Sequence, residues 1–310
     1  MKKILTIIGS TGLGKTDLAI KIAKKINGEI IGLDSRQIYK HMPIGTAQPS
    51  ETELKDVPHH LIGFRDPWQS ISAGEYAKMV FEKVREIKDR NRFPIICGGA
   101  GLYYMAITKG IFSSSYSDSE LREKLEMQYE ENPMPLFDKL KAIDPKYCNI
   151  VHINNKKRLI RALEIFELTG FTPTEHFENQ KKNVNQLLDL YTVFLRLDKY
   201  LHFERIKTRT DQMLKNGWIE EVKNLILLEK EKQSQLPALD SIGYKQIKNY
   251  LNEDADINKL IESIIIKTRQ YARKQNKWFK KENIDLTVEL TNLNGINFDS
   301  YISDIYNIID

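Results

Sequence analysis

The sequence predicts an α/β protein in which a parallel sheet forms the core and a mostly helical domain is inserted. Within the first hundred residues, short apolar segments typical of buried strands alternate with segments whose apolar residues recur at helical spacing. This alternation is typical of strand–helix–strand units, whose strands run parallel. From about residue 112 the alternation stops, and residues 118–196 show helical patterns. With 310 residues, the chain is long enough for two domains.

Three strands are predicted early in the chain, at residues 3–8, 29–33 and 93–97. A helix over residues 16–26 follows the first strand, and a Ser72-x-x-Glu75 capping-box pattern predicts the start of another. Ligands of parallel sheets bind beyond the carboxyl ends of the strands. We therefore expect the loops that follow the three strands to form one site. These loops are residues 9–16, 34–39 and 98–101.

The domain boundaries are predicted where the pattern changes. Residues 1–112 and 197–281 are assigned to the sheet core with its basic C-terminal helices. Residues 113–196 are assigned to the helical insertion, which opens with a polar linker at 113–117. Residues 282–310 are predicted to form a peripheral tail. Beyond the insertion, the patterns predict a strand at 191–197 and helices at 202–215, 218–230 and 257–281.

The composition is that of an ordinary globular protein and excludes collagen-like, disulfide-scaffold and largely disordered classes. The chain has 47 Lys and Arg residues against 42 Asp and Glu residues, a formal net charge of +5. Its two cysteines, Cys97 and Cys148, lie far apart and suit reduced thiols. No stretch approaches the ~20 apolar residues that span a bilayer. We therefore expect a cytoplasmic protein with no membrane partner.

The first loop fits the phosphate-loop pattern G-x-x-x-x-G-K-[ST] in full and lies between a strand and a helix, as that motif requires. Backbone N–H groups and the helix N-terminus favour phosphate oxygens there, Lys15 reaches the outer phosphates, and the Thr16 hydroxyl suits Mg²⁺. The core is thus predicted to be P-loop NTPase-like. The predicted phosphate-binding residues are Gly9, Ser10, Thr11, Gly12, Leu13, Gly14, Lys15 and Thr16. Phosphate binding alone favours a small-molecule kinase, with Asp34 as base or metal partner.

Positive charge is concentrated in two segments. Residues 263–281 carry seven Lys or Arg residues and no acid, with aromatic residues between them. Lys156, Lys157, Arg158 and Arg161 form the second cluster. Such clusters suit nucleic-acid phosphates and stacked bases, although a charge run by itself more often marks a solvated helix face.

Further motifs follow the phosphate loop in a fixed order. They are Asp34-Ser35-Arg36-Gln37, Pro58-His59-His60-Leu61, Gly98-Gly99-Ala100-Gly101, Arg158-Leu159-Ile160-Arg161-Ala162-Leu163-Glu164, Arg205-Ile206-x-x-Arg209, Ile242-Gly243-Tyr244-Lys245 and Arg273-Lys274-Gln275-x-x-Trp278. Together with the phosphate loop, this ordered set closely resembles the tRNA dimethylallyltransferase family. The resemblance covers the chain from about residue 3 to residue 281.

The resemblance implies transfer of a dimethylallyl group from its diphosphate to N6 of the adenine on the 3′ side of the anticodon. It implies that the loop holds the diphosphate of the prenyl donor, that Lys15, Thr16 with Mg²⁺ and Arg209 assist the leaving group, and that Asp34 is the catalytic base. It further implies a monomer. The tRNA contacts implied by the matching motifs are Asp34, Ser35, Arg36, Gln37, Ala100, Arg122, Lys157, Arg158, Leu159, Ile160, Arg161, Gly243, Tyr244, Lys245, Arg273, Lys274, Gln275 and Trp278.

The chain departs from the family pattern at Ala100, where the family usually has threonine, so a hydroxyl is missing there. Ser10, Gly12 and Leu13 also replace the common Pro, Ala and Ser. Three alternatives to tRNA prenylation stay open from the residues: prenylation of a free adenine nucleotide, phosphate transfer from ATP, and RNA binding without catalysis. Nucleotide binding at the phosphate loop also stays open. For His59 and His60, structural roles are favoured over metal ligation, because adjacent residues point apart on a strand.

Overall fold

A computed structural model describes residues 3–110, 118–182, 188–252 and 256–291, together with the isolated positions 302 and 305. The linker predicted at 113–117 lies outside these residues. The chain divides into two compact units. We call Met1–Ile71, Tyr76–Tyr104 and Leu188–Asp310 the sheet unit, and Ser72–Glu75 and Met105–Leu187 the helical unit.

The strands are β1 Ile4–Gly9, β2 Gly28–Leu33, β3 His59–His60, β4 Phe93–Gly98, β5 Leu190–Leu197 and β6 Leu286–Leu290. The helices are α1 Lys15–Ile26, α2 Pro43–Thr46, α3 Glu51–Asp56, α4 Ala73–Asp89, α5 Gly101–Thr108, α6 Ser119–Glu131, α7 Pro133–Ile143, α8 Pro145–Cys148, α9 Lys156–Thr169, α10 Pro173–Lys182, α11 Lys199–Lys215, α12 Trp218–Lys232, α13 Tyr244–Asn252 and α14 Ile257–Phe279. A 3-10 turn spans Pro237–Asp240.

The six strands form one sheet in the order β3-β2-β4-β1-β5-β6, and every pairing is parallel. The α/β class and the parallel sheet predicted from the sequence are thereby confirmed. Strand β1 lies at the centre, and all six of its residues are buried, as expected for a strand covered on both faces. Its register places Ile7 opposite Cys97 on one side and Val193 on the other.

Helix α1 covers one face of this sheet through the apolar stripe that predicted it. Leu18, Ala19, Ile22 and Ala23 are buried in the same cluster as Leu5 of β1. At roughly 25 cal/mol per Å² of apolar surface removed from water, such a stripe stabilises a helix more than its intrinsic propensity does. The packing fixes the phosphate loop between two buried elements.

The structure corrects two predicted boundaries. Leu190–Leu197 is β5, hydrogen-bonded between β1 and β6, so it belongs to the sheet unit and not to an insertion that ends at residue 196. The helical unit begins at Met105 instead of residue 113. Residues 190–197 belong to the sheet because the backbone N–H and C=O groups of this apolar strand form hydrogen bonds with its neighbours there.

The prediction of a peripheral tail at residues 282–310 is also corrected. Residues 286–290 form β6, a parallel edge strand. Its residues Val288 and Leu290 are buried, each with less than 5% of its surface exposed. Ile302 and Ile305 are buried in the same apolar cluster. The alternation of apolar and polar residues in Leu-Thr-Val-Glu-Leu was a usable strand signal.

The helical unit has its own core, built mainly from α6, α7 and α9. Leu140, Leu159 and Leu163 are fully buried there. Each helix begins at a side-chain cap: the side chains of Asp118 and Asn155 accept hydrogen bonds from backbone N–H groups of α6 and α9. Within the described residues, no helix combines the length and the apolar character that crossing a membrane requires.

Candidate active site

The phosphate loop joins β1 to α1 and is shaped by glycines in the left-handed region. Gly12 has φ 81° and Gly14 has φ 74°, conformations that side chains disfavour. A Cβ on Gly14 would also lie 3.0 Å from Nη2 of Arg205. In the loop, Lys15 Nζ donates to the Ser10 carbonyl at 2.8 Å. Ser10 and Leu13, two departures from the family pattern, are buried.

Two adjoining cavities open at this loop, and both lie in the sheet unit. The phosphate-loop cavity, about 470 Å³, is lined by residues 11–17, by Asp34, and by two arginines of α11, Arg205 and Arg209. The neighbouring cavity, about 340 Å³, is lined by Asp34, Trp218 and Tyr271 among others. The residues that line both cavities are Thr11, Gly12, Asp34, Thr46 and Arg209. The loops after β1 and β2 therefore meet at one site, as the parallel arrangement predicted.

Three cationic side chains surround the phosphate-loop cavity: Lys15, Arg205 and Arg209. Loss of hydration lowers the pKa of Lys15 from 10.5 to about 8. Loss of hydration also lowers the pKa of Arg209, against the opposing effect of the Asp34 carboxylate. Nη1 of Arg205 is buried and has no hydrogen-bond partner among the described residues. Such desolvated cations interact strongly with an anion, because little water screens them.

Asp34 directly follows β2 and is held by its own loop. Its Oδ1 accepts hydrogen bonds from the backbone N–H groups of Arg36 at 2.8 Å and Gln37 at 3.3 Å. Ser35 and Arg36 line the neighbouring cavity with it. Gln37 lines the phosphate-loop cavity instead, and its amide donates to the carbonyl of Ala47 at 2.6 Å. The Asp34–Gln37 segment thus reaches both cavities.

Gly45, a residue of the short helix α2 that lines the neighbouring cavity, is held by a buried carboxylate of α12, Glu221. Glu221 accepts hydrogen bonds from the N–H groups of Ile44 at 2.8 Å and Gly45 at 3.0 Å, and from the Tyr244 hydroxyl at 2.6 Å. A Cβ on Gly45 would overlap the indole of Trp218. Trp218, Glu221 and Gly45 were not predicted as site residues, because their partners are remote in sequence. The available signal was that Gly45 and Glu221 fall in two segments, residues 44–49 and 220–222, that match the family pattern.

This arrangement changes the interpretation of the Gly243-Tyr244-Lys245 motif. Tyr244 is fully buried, and Gly243, at φ 88°, packs against the Trp218 ring. Only Lys245 is exposed, beside Asp240 at 3.2 Å. The Tyr244 ring lies inside the protein and lines the neighbouring cavity, so its contact with tRNA stays a prediction.

The last predicted segment lies on α14. Arg273 and Lys274 are exposed, whereas Gln275 is buried between the phosphate loop and Gly99. Trp278 packs against Gly101, where a Cβ would lie 2.6 Å from the ring. Ala100 is buried, its N–H donates to the Leu33 carbonyl, and it does not line either described cavity.

In the helical unit, Glu164 organises the predicted basic residues. This carboxylate has no exposed surface and accepts from Arg122 at 2.9 Å and from Arg161 at 2.7 Å. Lys157 and Arg158 are exposed on α9. Leu159 and Ile160 are buried in the core of the unit, and their predicted contact with tRNA stays a prediction. The apolar Leu159 and Ile160 therefore lie on the inward face of α9, although they adjoin exposed basic residues in the sequence.

A metal centre built from protein ligands is absent from the described part of the chain, which contains no group of three His, Cys, Asp or Glu side chains suited to an ion. His60 Nε2 lies 2.6 Å from the buried Glu29 carboxylate, and His59 Nδ1 lies 2.8 Å from the Val57 carbonyl. The two histidines thus have the structural roles that were predicted for them. Thr16, Asp17 and Asp34 line the phosphate-loop cavity and supply oxygen atoms there.

Comparison with known proteins shows which family the chain resembles. The chain is 41% identical over 281 residues to the tRNA dimethylallyltransferase of Petrotoga mobilis. The match covers 91% of this chain and 91% of that protein. The tRNA isopentenylpyrophosphate transferase of Bacillus halodurans is a similar solved structure, with a TM-score of 0.70, 33% identity, and coverage of 100% of this chain and 96% of that one. A eukaryotic dimethylallyltransferase acting on tRNA gives a TM-score of 0.80 at 28% identity, over 99% of this chain and 78% of that one. The model of the IPP transferase family matches residues 37–282. The chain belongs to the IPP transferase family.

Proposed function

We propose that the chain transfers a dimethylallyl group from dimethylallyl diphosphate to N6 of the adenine on the 3′ side of the anticodon in tRNA, as a tRNA dimethylallyltransferase. The observation that carries the proposal is the pair of cavities that meet at Thr11, Asp34 and Arg209. The phosphate-loop cavity offers cations to a diphosphate. The neighbouring cavity has an aromatic and aliphatic lining suited to a prenyl group and a base. Membership of the family supports the same reaction.

In the proposed step, the C1–oxygen bond of the donor breaks as a bond forms between N6 and C1. The electron pair of the broken bond leaves with the diphosphate, whose developing charge is stabilised by Lys15, Arg209 and loop N–H groups. The N6 proton passes to the free Oδ2 of Asp34, while Oδ1 stays bonded to its own loop.

We propose that Mg²⁺ binds with the diphosphate. The residues present fit an ion held largely by phosphate oxygens, because Thr16 offers a hydroxyl beside carboxylates that include Asp17. When bound, the ion neutralises charge on the diphosphate. Loss of hydration and the nearby Glu53 raise the pKa of Asp17, and a cation there would reverse that direction.

We further propose that tRNA binds through the exposed basic residues of both units, which include Arg158, Arg273 and Lys274. The reaction is assigned to the cytoplasm, where tRNA is modified, and to a monomer, because the sheet unit of one chain contains both cavities. Exposed cations suit the spaced phosphates of a nucleic acid better than a single nucleotide.

The activity test incubates the chain with dimethylallyl diphosphate, Mg²⁺ and unmodified tRNA, followed by nucleoside analysis of the tRNA digest. We expect N6-isopentenyladenosine. Product with free AMP alone would identify a nucleotide prenyltransferase, phosphate transfer from ATP would identify a kinase, and binding without product an RNA-binding protein.

Asp34→Asn tests the base within the same assay. Asparagine keeps an acceptor for the Arg36 and Gln37 N–H groups but cannot take the proton, so kcat should fall by about two to four orders of magnitude with tRNA affinity unchanged. Asp56→Asn, an exposed aspartate paired with Lys24, is the matched control. Turnover of the Asp34 variant near that of the control would remove Asp34 from this role.

A further inference from the structure

Every polar group of Thr11 is held by a side chain from the C-terminal part of the sheet unit. Its N–H donates to Gln275 Oε1 at 2.9 Å, and its carbonyl accepts from His202 Nε2 at 2.9 Å. Its hydroxyl accepts from Arg209 Nη1 at 3.3 Å. We call Gln275, His202 and Arg209 the Thr11 clamp. No other position of the phosphate loop has this arrangement among the described contacts.

The amide of Gln275 has a fixed orientation. Its Oε1 accepts from Thr11, and its Nε2 donates to the Gly99 carbonyl at 2.8 Å, in the loop after β4. A Cβ on Gly99 would lie 2.5 Å from this Nε2, so glycine leaves the room that the amide occupies. Gln275 is 6% exposed, whereas Arg273 and Lys274 beside it are exposed. Its hydrogen-bonding groups are already used inside the protein.

Peptide planarity extends the effect of the clamp to both neighbours of Thr11. The Thr11 N–H and the Ser10 carbonyl belong to one peptide plane and point in opposite directions. When Gln275 holds the N–H, it therefore also orients the Ser10 carbonyl, which accepts from Lys15 Nζ at 2.8 Å. Gln275 acts in this way on the position of the loop lysine.

His202 acts on the next peptide plane. Its Nε2–H holds the Thr11 carbonyl, so the Gly12 N–H in the same plane points away from His202. Gly12 lines both cavities, and its N–H is one of the donors available to an anion in the loop. His202 lies on α11, and it is buried at 7% exposure.

We propose that Gln275 and His202 are positioning residues for the diphosphate: they orient the two peptide planes around Thr11 and, through them, Lys15 and the Gly12 N–H. Gln275 is thereby assigned to the donor site instead of the tRNA surface. This inference rests on the proposed function, because it takes diphosphate as the ligand of the loop.

The test measures the binding of inorganic diphosphate with Mg²⁺ by calorimetry, and the binding of tRNA separately. Gln275→Met keeps the volume and removes both hydrogen bonds, and His202→Leu removes the donor to Thr11. Each should raise the Kd for diphosphate about tenfold, as expected for loss of buried hydrogen bonds. The Kd for tRNA and its salt dependence should stay at the wild-type value, since both side chains are buried.

Two further variants separate positioning from general damage. In His202→Gln the amide NH₂ replaces Nε2–H as donor, so diphosphate binding should stay within about threefold of wild type. Gln270→Met makes the matched change at an exposed position of α14 and should alter neither ligand.

The outcomes are distinct. Wild-type diphosphate affinity in Gln275→Met, or equal loss in His202→Leu and His202→Gln, would overturn the inference. Weakened tRNA binding in Gln275→Met with diphosphate binding intact would assign Gln275 to the tRNA surface. Failure of the wild-type chain itself to bind diphosphate would overturn the proposed donor site, and the inference with it.

Discussion

Lys15 is a residue of the phosphate-loop cavity whose charge depends strongly on its surroundings. Its ammonium group lies among loop atoms and near Arg209, and loss of hydration brings its pKa to about 8. The Ser10 carbonyl holds it at 2.8 Å. A lysine with this pKa is mostly charged at neutral pH and loses its proton as the pH rises to one or two units above the pKa.

This pKa predicts how donor affinity changes with pH. Below about pH 7 Lys15 is almost fully charged, so its contribution to diphosphate affinity should be nearly constant, and above about pH 8 this contribution should fall as the free protein loses the proton. The fall should approach tenfold per pH unit, because binding must then be accompanied by protonation. Calorimetry with inorganic diphosphate between pH 6.5 and pH 9.5 gives the profile.

The control for this profile is Lys15→Met, in which the charge is absent at every pH. Its affinity should be low throughout, and the decline above pH 8 should be missing. An unchanged decline in Lys15→Met would assign the titration to another group.

At the residue scale, sequence reasoning found what local spacing reveals. Lys15, Thr16 and Asp34 follow strand ends, so their meeting at one site follows from parallel strands. Glu221 and His202 could not be found in this way, because each binds backbone groups more than 170 residues away. Nothing in the local pattern of α11 or α12 distinguishes such a residue from an ordinary polar one.

At the element scale, α14 has a buried face and an exposed basic face. Leu260, Ile264, Ala272 and Phe279 are buried, and Gln275 lies on the same buried face. Arg273 and Lys274 lie on the exposed face. The 3.6-residue period of the helix therefore separates residues that are adjacent in sequence into core contacts and candidate phosphate contacts.

This division predicts the salt dependence of tRNA binding. Replacing Arg273 and Lys274 with alanine should weaken tRNA binding and reduce the slope of log K against log salt by about one to two, because each phosphate contact contributes roughly 0.7–0.9. Filter binding or fluorescence anisotropy at several salt concentrations measures the slope.

Lys259→Ala provides the comparison, since Lys259 is an exposed lysine in the first turn of the same helix. Its slope should match wild type. If the double variant keeps the wild-type slope as well, Arg273 and Lys274 face solvent in the complex.

Element prediction was accurate where the periodicity was long and failed where it was short. The apolar stripe of α1 and the basic α14 were recognised, and α14 ends at Phe279, two residues before the predicted end. Strand β6 was missed because five alternating residues near a chain end carry a weak signal. Its pairing partner β5 lies about ninety residues earlier, which no local window includes.

At the scale of the whole molecule, β6 closes the sheet beside β5. Alternate residues of such an edge strand face the core and the solvent. Val288→Asp places a carboxylate in the core and should lower the free energy of unfolding by about 3 kcal/mol or more. Urea denaturation followed by circular dichroism measures the change.

Thr287→Asp is the matched substitution, because Thr287 is the exposed neighbour on the same strand. It should change the free energy of unfolding by no more than about 0.5 kcal/mol. Similar effects of the two substitutions would mean that residues 286–290 do not pack on the sheet in solution.

The Thr11 clamp also has a consequence for the order of synthesis. Thr11 leaves the ribosome early, yet its partners are 191, 198 and 264 residues further along the chain. Strand β1 can likewise pair on both edges only after β5 has been synthesised. Under the proposed function, the donor site therefore has its complete Thr11 clamp only after residue 275 has been made. Under the same proposal, a product terminated before residue 275 would carry an intact phosphate-loop motif but lack the Gln275 contact, so it should bind prenyl diphosphate more weakly.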